Sequence, residues 1–133
     1  MASFDKDKVK MNIDELIQAT KSGAINWVLL NPTTYLWETS APKSARVTVQ
    51  AATRPIPVRT PAGAGIRQVK HYILQVLEST PPVQKTRLLL NGAEDDEINE
   101  QIGELYTVIE IKLSEESLGF LKSIIPPKNT QSS

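Results

Sequence analysis

The chain has 133 residues, no cysteine, and fifteen acidic against fifteen basic side chains. A chain of this length buries roughly two-thirds of the surface that its unfolded form exposes, which is enough for one folded domain with appendages. The absence of cysteine excludes disulfides, thiolate metal sites and cysteine nucleophiles. The first residues lack the apolar core of a signal peptide, and no apolar run approaches the roughly twenty residues of a membrane span. We therefore expect a soluble cytoplasmic protein, with the nucleus as the alternative compartment.

Acidic and basic side chains are segregated along the sequence. Eight bases lie in the segment 43–87 with Glu78 as its only acid, whereas six acids lie in 94–104 with no base. Such polarity can orient a charged partner during approach, although a solvated surface explains the same pattern. The basic segment has only Tyr72 as an aromatic that could stack on bases, which argues against nucleic-acid binding.

The N-terminal part predicts a helix followed by a β-hairpin. A helix over 13–22 begins at Asn12, which opens a capping-box pattern, and ends before Gly23. Apolar residues over 25–30 and 35–39 then predict two antiparallel strands joined by a tight turn.

Beyond this hairpin the pattern changes to alternation. Strands are predicted over 46–50 and 55–59, and the second suits a sheet edge because its two prolines lack ladder donors. Apolar residues from Ile66 onward follow a helical period over about thirteen residues. Pro81-Pro82 ends that predicted helix.

The remaining residues predict two more strands and a last helix. A strand over 87–90 ends in a turn at Asn91-Gly92, an acidic loop follows, and a β-branched strand is predicted over 106–113. Ser114 then caps a helix that carries an apolar stripe. The side chains on that stripe or beside it are Leu118, Leu121, Ile125, Phe120 and Ile124.

The order of elements over 45–113 resembles ubiquitin and its β-grasp relatives. Three segments are similar to the family's central helix, its paired prolines and its arginine–apolar–glycine strand: 66–73, Pro81-Pro82 and 87–92. Ile102, Ile109 and Ile111 stand in for apolar positions that close the core in that family. The resemblance implies an α+β protein with a β-grasp fold, in which a mixed sheet packs on one helix.

This resemblance covers only part of the chain. The predicted organisation is a flexible N-terminus over 1–11, a helix plus β-hairpin extension over 12–44, a ubiquitin-like domain over 45–113, and a C-terminal helix with a disordered tail over 114–133. Conjugated members of the family end in Gly-Gly, whereas this chain ends in Gln131-Ser132-Ser133. We therefore expect no covalent conjugation through the C-terminus.

The resemblance implies non-covalent binding of a protein partner, as an adaptor or as a subunit of a larger assembly. Leu89 would lie on the sheet face that ubiquitin-like proteins offer to partners, where Glu110 and Lys112 would be its neighbours. Strand addition at 55–59 is a second mode of binding. The N-terminal hairpin or the C-terminal helix could instead cover Leu89. The candidate interaction residues are Leu89, Glu110, Lys112, Arg87, Arg54, Trp27 and Trp37.

No motif predicts catalysis, a cofactor or a metal site. His71 is the only histidine, and no nucleophile or carboxylate stands in a motif relation to it. The segment 60–65 lacks the Gly-Lys-Ser/Thr ending of a phosphate loop, and 94–97 lacks the ligand spacing of a calcium loop. We therefore expect a protein that is not an enzyme.

A competing resemblance lies near the N-terminus. The predicted helix followed by Ala24-Ile25-Asn26-Trp27-Val28-Leu29-Leu30 is similar to the start of actin-depolymerising-factor homology domains, in particular their coactosin-like branch. It implies an actin-binding module as the alternative function.

Overall fold

A computed structural model describes residues 5–79 and 84–127 of the chain. Within these residues the elements are, in chain order, α1 Lys6–Lys21, β1 Val28–Asn31, β2 Thr34–Thr39, β3 Ala45–Thr60, β4 Gly63–Glu78, β5 Lys85–Asn91 and α2 Asp96–Ile124. A short 3₁₀ turn joins β5 to α2. The strands form an antiparallel sheet in the order β1-β2-β3-β4-β5. The predicted α+β class is confirmed.

The hydrophobic core lies between one face of the sheet and the two helices. A row of buried side chains crosses the sheet at matching register positions of β2 to β5, and it consists of Tyr35, Val49, Leu74 and Leu90. Successive side chains of a strand point to opposite faces, so this row defines the covered face. The buried side chains of α2 follow a helical spacing of three or four residues, and they include Ile98, Ile102, Leu105 and Ile109.

An ionic cluster joins the first turn of α1 to the first turn of α2. Asp95 caps α2, because its carboxylate accepts hydrogen bonds from the backbone N–H of Glu97 at 3.0 Å and of Ile98 at 3.1 Å. The same carboxylate lies 3.0 Å from Lys6 Nζ, and Glu97 lies 2.9 Å from Lys10 Nζ. The backbone N–H of Ile98, followed by Lys6, lowers the pKa of Asp95. The hydrogen bond from Lys10 lowers the pKa of Glu97.

We expect this cluster to make the protein less stable in acid. A carboxyl group whose pKa is lower in the folded state stabilises that state above its unfolded pKa, and this contribution is lost as pH falls through the folded pKa. The urea midpoint should therefore decrease on going from about pH 6 to about pH 3. The Lys6→Met/Lys10→Met variant should show a smaller decrease. An equal decrease in both proteins would contradict the assignment to this cluster.

The predicted central helix is wrong. The residues from Ile66 onward belong to β4, which pairs with β3 from Thr60↔Gly63 to Ala45↔Glu78. The strands predicted over 46–50 and 55–59 are parts of the single strand β3. The apolar spacing after Ile66 fits a helix and a strand, and long-range pairing with β3 decides in favour of the strand.

The predicted final strand over 106–113 is also wrong, because these residues lie in α2. Ile109 is fully buried whereas Ile111 is 53% exposed. A strand would place both side chains on the same face, but a helix separates them by about 200°. Consequently the described residues do not show the mixed sheet on a central helix that the β-grasp prediction requires.

The N-terminal predictions are confirmed in part. The helix starts at Lys6 and is capped by Asp5 rather than by Asn12, so the flexible segment predicted over 1–11 is helical from residue 6. Gly23 follows the helix with a φ of 84°, the left-handed conformation in which glycine commonly ends helices. The predicted hairpin is present as β1 and β2, and β2 pairs with β3 across the predicted boundary between residues 44 and 45.

At the C-terminus, the helix predicted from Ser114 is a continuation of α2 rather than a separate element. The predicted disordered tail falls mostly on residues 128–133, which lie outside the described residues. Pro81-Pro82 also lies outside them.

Candidate protein-interaction surfaces

The sheet face predicted around Leu89 is not assembled as expected. Leu89 lies opposite Gln75 in the register of β4 and β5, on the face away from the helices, and it is 58% exposed. Neither the N-terminal hairpin nor α2 covers it. Glu110 and Lys112 lie on α2, on the other side of the sheet, and Lys112 Nζ donates a hydrogen bond to the carbonyl oxygen of Lys21 at 3.2 Å. The prediction that these residues share a face with Leu89 is wrong.

The two tryptophans are part of the folded body rather than a binding platform. Their rings pack against each other with centroids 6.1 Å apart. Trp27 is buried, and its Nε1–H donates to Thr20 Oγ1 at 3.0 Å. Trp37 is half-buried and packs against the core.

The last part of α2 extends away from the body. Every residue over 114–125 is exposed, and we call this segment the α2 extension. Its large apolar side chains are 48–68% exposed, and they are Leu118, Phe120, Leu121, Ile124 and Ile125. Short helices are marginal in water, and helices of globular proteins derive most of their stability from packing. Within the part of the chain that the structure describes, the α2 extension therefore lacks the cover that such a helix normally has.

The free edge of β1 is a second exposed apolar feature. Val28, Leu29 and Leu30 are each more than half exposed, and within the described residues β1 pairs only with β2. Natural sheet edges are usually protected by charges, prolines or bulges. β1 has neither charge nor proline among its four residues, but its pairing with β2 is irregular between Leu29 and Asn31, so its edge is only partly protected.

These two features adjoin each other. A groove of about 510 Å³ lies between them, and its lining includes Val28 and Leu29 from the β1 side and Leu113, Ser114 and Ser117 from α2. We refer to the β1 edge, this groove and the α2 extension together as the β1–α2 surface. Glu110 and Glu116 also line the groove, so the surface combines exposed apolar side chains with polar ones. Exposed apolar patches rimmed by polar residues mark sites of association.

A basic arm projects beyond the ends of the neighbouring strands. β2 pairs with β3 only as far as Gln50, and β5 pairs with β4 only from Ile73, so residues 53–70 form a two-stranded ribbon that we call the arm. It contains no acid. Its bases are Arg54, Arg59, Arg67 and Lys70, and among the described residues none of them has an ion-pair partner. By contrast, Arg87 on β5 pairs with Glu78.

The strand addition predicted at 55–59 meets an obstacle in the arm. Pro55 and Pro57 lie two residues apart within a continuous ladder with β4. Alternate residues of a paired strand direct their backbone groups toward the partner, so prolines tolerated in the ladder occupy positions whose N–H would point outward. The outer edge of β3 therefore lacks the two donors that an added strand would need at Pro55 and Pro57.

A second apolar cavity lies between α1 and the sheet, and it holds no set of converging polar groups. Its volume is about 510 Å³, and its lining includes Ile13, Leu16, Leu74, Leu88 and Leu90. Across residues 5–79 and 84–127, no cluster of three or more His, Asp or Glu side chains is arranged to hold a metal ion. In the same ranges neither helix combines the length and apolarity that crossing a membrane requires.

The β1–α2 surface differs from the interaction surface that the sequence predicts around Leu89. The apolar stripe at Leu118 and Leu121 was visible as a helical period, but nothing in the local pattern showed that it lies beyond the body. The exposure of β1 follows from its position at the sheet edge, which is a property of topology. No protein-family model matches the chain, and no curated protein or solved structure is significantly similar to it.

Proposed function

We propose that the protein is a non-catalytic, cytoplasmic protein–protein interaction module, acting as an adaptor or as a subunit of an assembly, and that it binds through the β1–α2 surface. The observation that carries this proposal is the α2 extension, whose apolar side chains are largely exposed near the exposed apolar residues of β1. The resemblance to ubiquitin does not support this proposal. The segments predicted as its central helix and its final strand lie in β4 and α2.

The energetic case rests on apolar burial. Fully burying a leucine, isoleucine or phenylalanine side chain contributes about 1.5–3 kcal/mol. The large apolar side chains of the α2 extension have about half or more of their surface in water. A partner that covers them therefore gains part of this contribution from each side chain. Binding must also overcome the entropy of association, which area alone does not measure. Leu118, Leu121 and Ile125 are suited to this because their spacing places them on one side of the helix.

Substituting the stripe should abolish partner binding without unfolding the body. Leu118→Asp/Leu121→Asp places two charges where the partner's apolar surface would lie, and leaving them buried and unpaired costs several kcal/mol. We expect affinity capture from lysate, read by mass spectrometry, to lose its specific partners with this variant. Ser123→Asp is the matched control, because Ser123 lies on the polar side of the same helix and should retain them.

Circular dichroism must first show that both variants are folded. Loss of partners with Ser123→Asp, or their retention with the double variant, would contradict the proposal. Actin among the captured proteins would support the coactosin-like alternative.

The arm favours a second candidate function, the binding of nucleic acid through its phosphates. Four bases that have no ion-pair partner within residues 5–79 and 84–127 lie on a projecting two-stranded ribbon, and ribbons of this kind fit the major groove of a duplex. Affinity for a labelled duplex should fall steeply with salt and be lost in Arg59→Glu/Arg67→Glu. Fluorescence anisotropy with DNA and RNA duplexes would measure this. Binding that is absent at low salt, or unchanged in the variant, would exclude this candidate.

A further inference from the structure

We propose that the α2 extension packs antiparallel against the α2 extension of a second copy of this chain, so that the protein forms a two-fold symmetric dimer. This inference rests on the proposed function, because it names the partner of the β1–α2 surface.

Apolar residues recur at a regular spacing along the α2 extension. Leu118 lies four residues after Ser114 and three residues before Leu121, and Ile125, which caps α2, follows after four more. This is the spacing of a seam along which two helices pack side by side. Its three apolar members, Leu118, Leu121 and Ile125, are 62%, 48% and 54% exposed.

One acidic and one basic side chain lie beside the seam. Glu115 and Lys122 lie seven residues apart on one flank of it. In an antiparallel pair, each Glu115 lies close to Lys122 of the other copy, and this contact occurs twice. In a parallel pair, Glu110 lies close to Glu115 of the other copy, which is repulsive. The charges are therefore complementary to a second copy in the antiparallel orientation.

The groove beside β1 can accept the end of the second helix. When Leu118 lies opposite Leu121 of the second copy, Ser114 lies opposite its Ile125. Ser114 lines the groove together with Val28 and Leu29, and a serine leaves more space there than a large apolar residue would. The end of the second helix can thus reach the groove, so that one arrangement covers both the seam and the β1 side of the surface.

Sedimentation velocity on the full chain over about 1–100 µM tests this inference, because that range brackets a micromolar dissociation constant. We expect a dimer for the natural sequence and a folded monomer for Leu118→Asp/Leu121→Asp. Glu115→Lys or Lys122→Glu alone should weaken dimerisation roughly tenfold, since each turns two attractive contacts into repulsive ones. The combined exchange Glu115→Lys/Lys122→Glu should restore it, and Ser123→Asp should leave it unchanged.

A monomer at every concentration would overturn the inference. So would a dimer that Leu118→Asp/Leu121→Asp leaves intact. Tighter association of Glu115→Lys would show a parallel pair and overturn the antiparallel one. If the chain is monomeric but still captures a protein through Leu118 and Leu121, the second copy is excluded as partner while the proposed function stands. If no capture depends on these residues either, both fail.

Discussion

Ile109→Ala is expected to destabilise the protein by about 2–5 kcal/mol, whereas Ile111→Ala should cost less than about 1 kcal/mol. Ile109 is completely buried in the core cluster and Ile111 is 53% exposed. Truncating Ile109 removes apolar contacts and leaves a cavity, but truncating Ile111 removes only half-solvated atoms. The free energies of unfolding should be measured by urea denaturation in the Leu118→Asp/Leu121→Asp background, so that association does not contribute.

This pair of substitutions distinguishes helix from strand at the end of the chain. A closing strand over 106–113 would bury both isoleucines on one face, and both substitutions would then cost similar amounts. Similar losses in the two variants would contradict α2 as described.

Gly92→Ala is expected to destabilise the protein by about 2–4 kcal/mol, because it adds overpacking to the loss of a hydrogen bond. A Cβ atom at this position would overlap Asn99 Oδ1 and would lie 2.7 Å from the backbone oxygen of Tyr72. Asn99 Oδ1 accepts a hydrogen bond from the backbone N–H of Tyr72 at 2.8 Å. This bond holds α2 to β4 just beyond the last pair of the β4–β5 ladder, and moving Asn99 would leave that N–H without its partner.

Gly119→Ala is the matched control for this effect. Among the described residues no atom lies within 4 Å of a Cβ added at Gly119, and alanine favours a helix by up to about 1 kcal/mol over glycine. Urea denaturation followed by circular dichroism should show a lower midpoint for Gly92→Ala and an unchanged or higher one for Gly119→Ala. Equal midpoints would contradict the close approach at Gly92.

The elements that could be predicted from the sequence are those with unambiguous local signals. The β1–β2 hairpin, the start of β3, the strand before Asn91-Gly92 and a helix ending near Gly23 were all predicted correctly in type. Each of them combines a clear period with turn residues at its end. The Asn91-Gly92 turn itself leads into α2 rather than into another strand, because Asn91 caps the 3₁₀ turn with its side chain.

The two segments that were predicted wrongly have different causes of error. The residues after Ile66 satisfy a helical period and an alternating one, and only their pairing with β3 over the whole length of β4 selects the strand. The segment 106–113 is rich in β-branched residues, but its helix buries Ile109 in the core continuous with Ile102 and Leu105. Tertiary packing overrides propensity in this case. Both decisions depend on residues distant in sequence.

The candidate site was predictable only in part. The stripe through Leu118 and Leu121 follows from helical spacing alone, and the basic character of the arm follows from composition. The stripe is exposed because α2 extends past the sheet. The arm is exposed because β3 and β4 extend past their neighbouring strands. Leu89, Glu110 and Lys112 were grouped because a strand was predicted at 106–113, and the grouping fails together with that strand.

Hydrogen exchange across the α2 extension tests most directly whether a second copy covers it, because amides are protected only where the helix is stably formed. The exchange of peptides covering 114–125 should be followed by mass spectrometry as the full chain is diluted. If a second copy covers this segment, its amides are protected at high concentration and lose that protection on dilution, while the core of α2 around Ile102 stays protected throughout. Exchange over 114–125 at the unfolded rate at every concentration, or protection that dilution leaves unchanged, would contradict the packing of a second copy on this segment.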